Sequence, residues 1–304
     1  MSHRPPPQTQ QKSLMVGIVG LTNAGKSTLV NALIGDYVSI ATPKPQTTRE
    51  SLRAILHHGK SQIILTDSPG FFDSKTPRQH AMLKTARRVI HTSEALLLLI
   101  DCLRLPPIHL LHQLRQQDIP TDKKMVVLNK IDRIDKKKLL PLAQKIHTNA
   151  PDISLWMVSA RTNSGLEKLT RHMDSIALTQ PWPYPPDTQS DQTLQQRACE
   201  LTREQLMRHL AHEIPYAIDV YTDMWHDDKK GYTIRQRIVL GKESHKAIVL
   251  GKGGACIKAI GMRARSALTQ QLKRDVQLFL RVCVHKNKNA PHTPHHTPTY
   301  GETP

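Results

Sequence analysis

Leu14-Met15-Val16-Gly17-Ile18-Val19-Gly20-Leu21-Thr22-Asn23-Ala24-Gly25-Lys26-Ser27-Thr28 is the stretch whose reading decides the fold. The run from Leu14 to Val19 is apolar and reads as a buried strand. It ends in Gly20-x-x-x-x-Gly25-Lys26-Ser27, after which Leu29, Ala32 and Leu33 recur at helical spacing. Strand, glycine-containing turn and helix together make a phosphate-binding loop. Gly25 lets the backbone approach a ligand closely, so that N–H groups from Asn23, Ala24, Gly25, Lys26, Ser27 and Thr28 can point at phosphate oxygens. The following helix presents its positive end there. Lys26 supplies a mobile charge for the outer phosphates, and the Ser27 hydroxyl is placed to bind Mg2+.

Working outward, the stretch Ala41 to Arg49 carries Pro43 and Pro45 and reads as a loop. A strand near Leu52–Leu56, a hairpin turn at 57–60 and a strand from Gln62 to Thr66 deliver Asp67-Ser68-Pro69-Gly70. The Asp67 carboxylate is expected to hold the Mg2+ shell through water, and the Gly70 N–H to sense the γ-phosphate. Ala95–Asp101 and Lys124–Leu128 read as further buried strands. The second of these ends in Asn129-Lys130-Ile131-Asp132, which chooses the base. The Asp132 carboxylate can accept from two guanine N–H donors, a pair that adenine lacks. The Lys130 stem can pack over the purine, and Asn129 can tie this loop to the phosphate loop. A fifth strand, Leu155–Val158, leads into Ser159-Ala160, whose backbone N–H can reach the guanine carbonyl. In this order, each motif at a strand terminus, the residues describe a guanine-nucleotide site.

Phe71 follows Gly70, where many GTPases place a glutamine that orients the attacking water. Either hydrolysis is slow or another group positions the water. Asn23 has two readings: its side-chain oxygen holds a monovalent cation such as K+ against the phosphates, or it simply stabilises the loop.

Composition points to a polyanionic partner. The chain of 304 residues has a formal net charge of +18 and a sequence pI near 9.9, which suits nucleic acid or anionic lipid. Aromatic residues make up only 4%, which argues against base stacking as the main mode of binding. Cys102, Cys199, Cys256 and Cys283 are scattered and read as reduced, so cytoplasmic residence is expected. The N-terminus has no apolar core for a secretory signal, while a short organellar presequence stays open as an alternative.

Pro181-Trp182-Pro183-Tyr184-Pro185-Pro186 marks a domain boundary. Beyond it the sequence predicts a helix over Leu194–Leu210, strands over Ala217–Asp223 and Tyr232–Leu240, and a short apolar segment around Ile248. Then come Gly251-Lys252-Gly253-Gly254, a basic helix over Ala255–Leu272 and a last strand over Val276–Val284. Helix, Gly-x-x-Gly, helix within a small basic α+β unit is how KH domains clamp single-stranded nucleic acid. Lys252 and Lys258 add charge, and an apolar groove including Ile248 and Ile257 is expected to receive the bases. The predicted organisation is a flexible start (1–12), a nucleotide-binding domain (13–180), a linker (181–193), the RNA-binding domain (194–284) and a tail rich in His, Pro and Thr (285–304).

Taken together, Gly20 to Thr28, Gln46-Thr47-Thr48-Arg49, Asp67 to Gly70, Asn129 to Asp132, Ser159-Ala160 and the C-terminal Gly-x-x-Gly resemble the Era family of ribosome-assembly GTPases over Leu14–Val284. The resemblance implies an α/β P-loop GTPase domain, mostly parallel, with helices on both faces, followed by a type II KH domain. It implies a GTPase holding the 3′ end of small-subunit ribosomal RNA in 30S subunit maturation. It also implies that a hydrophobic residue at Phe71 is normal and that Thr48 reaches Mg2+ in the GTP state. A monomer is expected, with peripheral contact to an anionic membrane as a further partner. Thr22 and Ala24 depart from the family's usual Pro and Val, at positions that contribute backbone. The rival readings are a GTP-regulated tRNA-modifying or membrane-associated enzyme and a non-hydrolysing RNA-binding scaffold.

Overall fold

The computed structural model describes residues 6–42, 52–68, 84, 86–211 and 214–284. The larger sheet has the order β2-β3-β1-β4-β5-β6, from Leu52–His58, Ser61–Asp67, Lys12–Gly20, Ala95–Asp101, Lys124–Asn129 and Ser154–Met157 respectively. Only β2 in that path runs antiparallel to its neighbour. The short β7 (Leu178–Thr179) pairs antiparallel with the start of β1.

The continuous apolar strands follow from cover on both faces. Along β4, Ala95, Leu97 and Leu99 enter one core with Leu14, Val16, Leu29 and Leu169, while Leu96, Leu98 and Ile100 enter the other with Leu111, Leu128 and Ile146. Helices α1 (Lys26–Ile34) and α5 (Leu166–Ser175) cover the first face. Helices α2 (described over 86–91), α3 (Ile108–Arg115) and α4 (Lys136–Asn149) lie between the strands in sequence, and α3 and α4 cover the second face. Every parallel strand thus ends at the same sheet edge, where the motif residues gather.

The second sheet has the order β10-β9-β8, from Val276–Val284, Gly231–Leu240 and Ile218–Asp228. Strands β9 and β10 are parallel, β8 and β9 antiparallel. That topology, with α6 (Leu194–His209), α7 (Ser244–Leu250) and α8 (Ala255–Leu272) packed on one face, is a type II KH arrangement. Thr193 opens α6 with a capping box closed by Gln196.

The proline-rich segment is laid along the open edge of β2. Gln189 O accepts from Ile55 N at 2.9 Å, Asp191 N donates to Arg53 O at 3.1 Å, and the Tyr184 hydroxyl accepts from Arg53 at 3.1 Å. Gln62 pairs both ways with the Tyr184 backbone at 2.9 and 3.0 Å. An edge strand offers unpaired backbone groups, and this segment satisfies some of them.

Candidate nucleotide pocket and RNA groove

The phosphate loop is shaped by two close approaches. Gly20 has φ +150°, and a Cβ there would lie 2.4 Å from the Leu99 carbonyl oxygen. Gly25 has φ +99°, and a Cβ there would lie 2.4 Å from Asn129 Nδ2. No other residue fits either place without moving its neighbour. Lys26 is buried, and its Nζ donates to Gly20 O at 3.2 Å and Leu21 O at 3.1 Å. Burial lowers its pKa to about 8, against the opposing pull of Asp67.

Ser27 Oγ donates to Asp67 Oδ2 at 2.9 Å, and Ser39 Oγ donates to the same oxygen at 2.9 Å. Asp67 is fully buried. Hydroxyl and carboxylate oxygens converging beside the loop are hard ligands of the kind Mg2+ takes. Ser39, which the sequence reading missed, is itself held by Asn31 of α1, whose Oδ1 accepts from Val38 N and Ser39 N at 2.9 and 2.8 Å. An Asn inside an otherwise apolar helix turn was the only signal of it.

Asn129 is 2% exposed and bridges two loops: Nδ2 donates to Ala24 O at 3.0 Å, and Oδ1 accepts from Ala160 N at 3.0 Å. Lys130 takes a left-handed φ of 68°, and its Nζ donates to Asn23 O at 2.8 Å and Asp101 Oδ2 at 2.7 Å. Asp101, at the end of β4, was not singled out from sequence; it anchors the Lys130 amine beside the phosphate loop. Asp132 Oδ1 accepts from Ser159 Oγ at 2.6 Å, and Thr162 N donates to Ser159 Oγ at 3.2 Å. Asn23 has a positive φ of 64°, and Thr28 lies in the first turn of α1. Asn23 through Thr28, Asp67, Asn129, Lys130, Asp132, Ser159 and Ala160 therefore occupy one edge of one sheet. Thr48, Gly70 and Phe71 lie outside the described residues.

In the second unit, Gly251, Gly253 and Gly254 all have positive φ, of 72°, 58° and 80°, and join α7 to α8 in a sharp turn. Lys252 and Lys258 are exposed. Beside them a groove of about 370 Å3 runs between α8 and β10, lined by Ile257, Lys258, Gly261, Met262, Arg265, Leu278, Phe279 and Leu280. Of the residues expected at the RNA groove, Ile257 and Lys258 line this one. Ile248 does not line this groove: α7 turns His245 and Val249 inward, leaving Ile248 53% exposed. Gly261, Met262, Arg265 and Phe279 were missed, because α8 and β10 are brought side by side only by parallel pairing of β10 with β9.

The two units touch through the segment Asp36 to Ala41. Tyr37 packs into the core of the second unit, and its hydroxyl donates to Glu204 of α6. Burial first, and the Glu204 carboxylate next, push the Tyr37 phenol well above its ordinary pKa. Arg197 donates to Tyr37 O at 2.6 Å, Arg208 to Ala41 O at 3.0 Å, and Gln271 to Asp36 Oδ1 at 2.9 Å.

Comparison with known proteins agrees with this division. A family of 50S ribosome-binding GTPases matches residues 15–145, and a KH-domain family matches residues 213–289. GTPase Era of Brucella suis is 41% identical over 280 residues, covering 92% of this chain and 90% of that protein. GTPase Era of Rhizobium meliloti is 39% identical over 280 residues, covering 91% and 88%. Among solved structures, an Aquifex aeolicus Era variant bound to GDP.AlF4- superposes with a TM-score of 0.85 at 32% identity, covering 90% of this chain and 94% of that one. An Era complex with MgGDPNP and nucleotides 1506–1542 of 16S ribosomal RNA gives the same TM-score, identity and coverage. With a guanine-type pocket and a KH groove on one chain, and similarity running across both, the protein belongs to the GTPase Era family.

Proposed function

We propose that this chain binds and hydrolyses GTP and clamps single-stranded RNA at the 3′ end of small-subunit ribosomal RNA during 30S maturation. The observation that carries the reading is the Asn129 bridge between Ala24 and Ala160, which locks the phosphate loop to the base-reading loop. It makes one site of motifs that are scattered in sequence. Era relatives solved with MgGDPNP, with GDP.AlF4- and with 16S RNA support the same chemistry.

In this reading Lys26 and the loop N–H groups hold the β- and γ-phosphates, and Asp132 with Ala160 N–H selects guanine. Ser27, Asp67 and, in the GTP state, Thr48 are the ligand set for Mg2+, with Asp67 acting through water. The metal supplies charge neutralisation on the phosphates. Gly70 senses the γ-phosphate. The backbone carbonyl of Asn23 is engaged by Lys130, and its side-chain oxygen is the group that would help hold K+ against the phosphates. The RNA side consists of Gly251, Lys252, Gly253, Gly254, Ile257 and Lys258, with the groove between α8 and β10 receiving bases.

The finer parts of the proposal are a monomer acting in the cytoplasm, the 30S subunit as partner, and peripheral contact with anionic lipid, the last resting on the +18 charge. Among the described residues no helix is long and apolar enough to cross a membrane. The division into nucleotide domain, linker and RNA domain at 13–180, 181–193 and 194–284 is part of the same reading.

The test is a double substitution, Lys252→Asp with Gly253→Asp, titrated with single-stranded RNA and with GTP. Lys252 is exposed and a Cβ at Gly253 meets nothing within 4 Å, so space is not limiting. The positive φ of Gly253 adds local strain, which circular dichroism monitors. The expected result is normal GTP binding with loss of most RNA affinity. A folded variant with wild-type RNA affinity refutes the clamp.

A further inference from the structure

Strand alternation in the KH sheet sends residues 276, 278, 280 and 282 of β10 toward the helices and leaves Gln277, Phe279, Arg281 and Cys283 on the opposite face. On that face the register sets Phe279 opposite Arg235 and Arg281 opposite Arg237. The α6, α7 and α8 helices all pack on the other side, and Phe279 is 53% exposed. The Arg235 guanidinium sits 5.9 Å from the Phe279 ring centroid, and Arg237 sits 5.5 Å from that of Tyr221.

Two features of this face point to an anionic, planar ligand. Arg237 and Arg281 are like charges directly opposite one another on adjacent strands, an arrangement that costs stability in water and is relieved by an anion lying over both. Asp223 offsets part of it, 3.3 Å from Arg237, but Asp223 and Asp219 lie on β8, at the far side of the sheet. The outward-facing acids thus lie on β8, and the charges that β9 and β10 present on this face are all arginines. The exposed ring stands at the β10 edge, flanked by a guanidinium plane, as in surfaces that stack bases while holding their phosphates.

Phe279 also lines the groove between α8 and β10. The outward face is therefore continuous with the proposed RNA groove, across β10, the edge strand on that side. We propose that RNA leaving the groove crosses β10 and continues on the outward face, with a base stacked on Phe279 and phosphates on Arg235 and Arg281. The ligand class is single-stranded RNA longer than the groove holds, and the inference rests on the groove reading above. The few aromatic residues of this chain do not exclude stacking, because the fold places one at the edge where it is needed.

The test uses the full chain and two RNAs, one of about 4 nucleotides, the length a KH groove clamps, and one of about 12. The double substitution Arg235→Ser with Arg281→Ser removes exposed charges that do not line the groove. The long RNA is expected to bind about tenfold or more weakly, and the slope of log K against log salt to fall by roughly 1.4. The short RNA is expected to bind as to wild type, which also shows that the variant is folded. Phe279→Leu, which keeps an apolar groove wall, is expected to weaken the long RNA by about tenfold. Unchanged affinity and salt slope for the long RNA overturn the proposal. Equal loss on both RNAs overturns it too, since the face would then act only through the groove. A loss seen with anionic phospholipid vesicles and not with RNA assigns the face to lipid and overturns it. Wild-type protein that binds neither RNA removes the groove reading itself, a failure distinct from the others.

Discussion

Replacing Asn129 by aspartate tests the bridge that unites the nucleotide site. The change keeps the shape of the side chain and the oxygen that accepts from Ala160 N at 3.0 Å. It removes the donor to Ala24 O, 3.0 Å away, and puts an oxygen against that carbonyl. With Asn129 only 2% exposed, water cannot substitute. A buried carbonyl left without a donor costs about 1–3 kcal/mol. A carboxylate confined beside it adds roughly another 1 kcal/mol through desolvation, or through the proton it takes up to avoid it. The sum, about 2–4 kcal/mol, falls on the alignment of phosphate loop and base loop, so it is read as nucleotide affinity. GDP should bind roughly 30- to 1000-fold more weakly in a fluorescent-nucleotide competition at pH 7.5. Because a protonated carboxyl can again donate to Ala24 O, the gap should narrow as pH falls toward 5. Affinity within threefold of wild type at pH 7.5, or a gap that widens in acid, would refute the reasoning.

Other expectations come from Asp132, Lys26 and Tyr37. Asp132→Asn should weaken GTP by about a hundredfold and favour xanthosine triphosphate, because an amide can donate to the added carbonyl; unchanged GTP affinity removes Asp132 from the base site. Lys26 has a pKa near 8 in the ligand-free protein, and bound phosphates must raise it. Nucleotide affinity should therefore fall as pH rises above about 8, by up to tenfold per unit, and a flat profile from pH 7 to 9.5 would contradict this. The same depression from 10.5 means that the unfolded chain keeps a proton the folded one has lost, so ligand-free stability gains a rising contribution between about pH 8 and 10.5. Tyr37→Phe keeps the ring in its core and removes the hydroxyl that donates to Glu204 and accepts from the Ala41 backbone. A loss of about 1–2 kcal/mol in urea denaturation is expected, and no change would show that these bonds are not formed in solution.

Much of the nucleotide site was legible because its motifs are local. A phosphate loop needs a glycine where the chain bends, a lysine and a hydroxyl in consecutive positions, and a strand and helix on either side. Each of these is a property of neighbours in sequence. The base loop is similar, since Asn129, Lys130 and Asp132 act from one strand end. The strands themselves were readable because burial on both faces makes them uniformly apolar, as in Ala95–Ile100. Helix α4 was not, since it opens with three lysines, contains Pro141 and buries only Ile146 completely.

What the sequence could not decide is everything that depends on which distant segments meet. Ser39 and Asp101 support the site from positions that carry no motif, and their partners lie 28 and 29 residues away. The proline-rich segment reads as a spacer, yet its backbone finds partners along β2, because an edge strand offers donors and acceptors that no local pattern reveals. The groove between α8 and β10 exists because β10 returns to pair with β9, which sets Met262 and Phe279 on facing sides of it. Local chemistry determined what this chain binds; the pairing of strands determined where the binding surfaces lie and which of them share an edge.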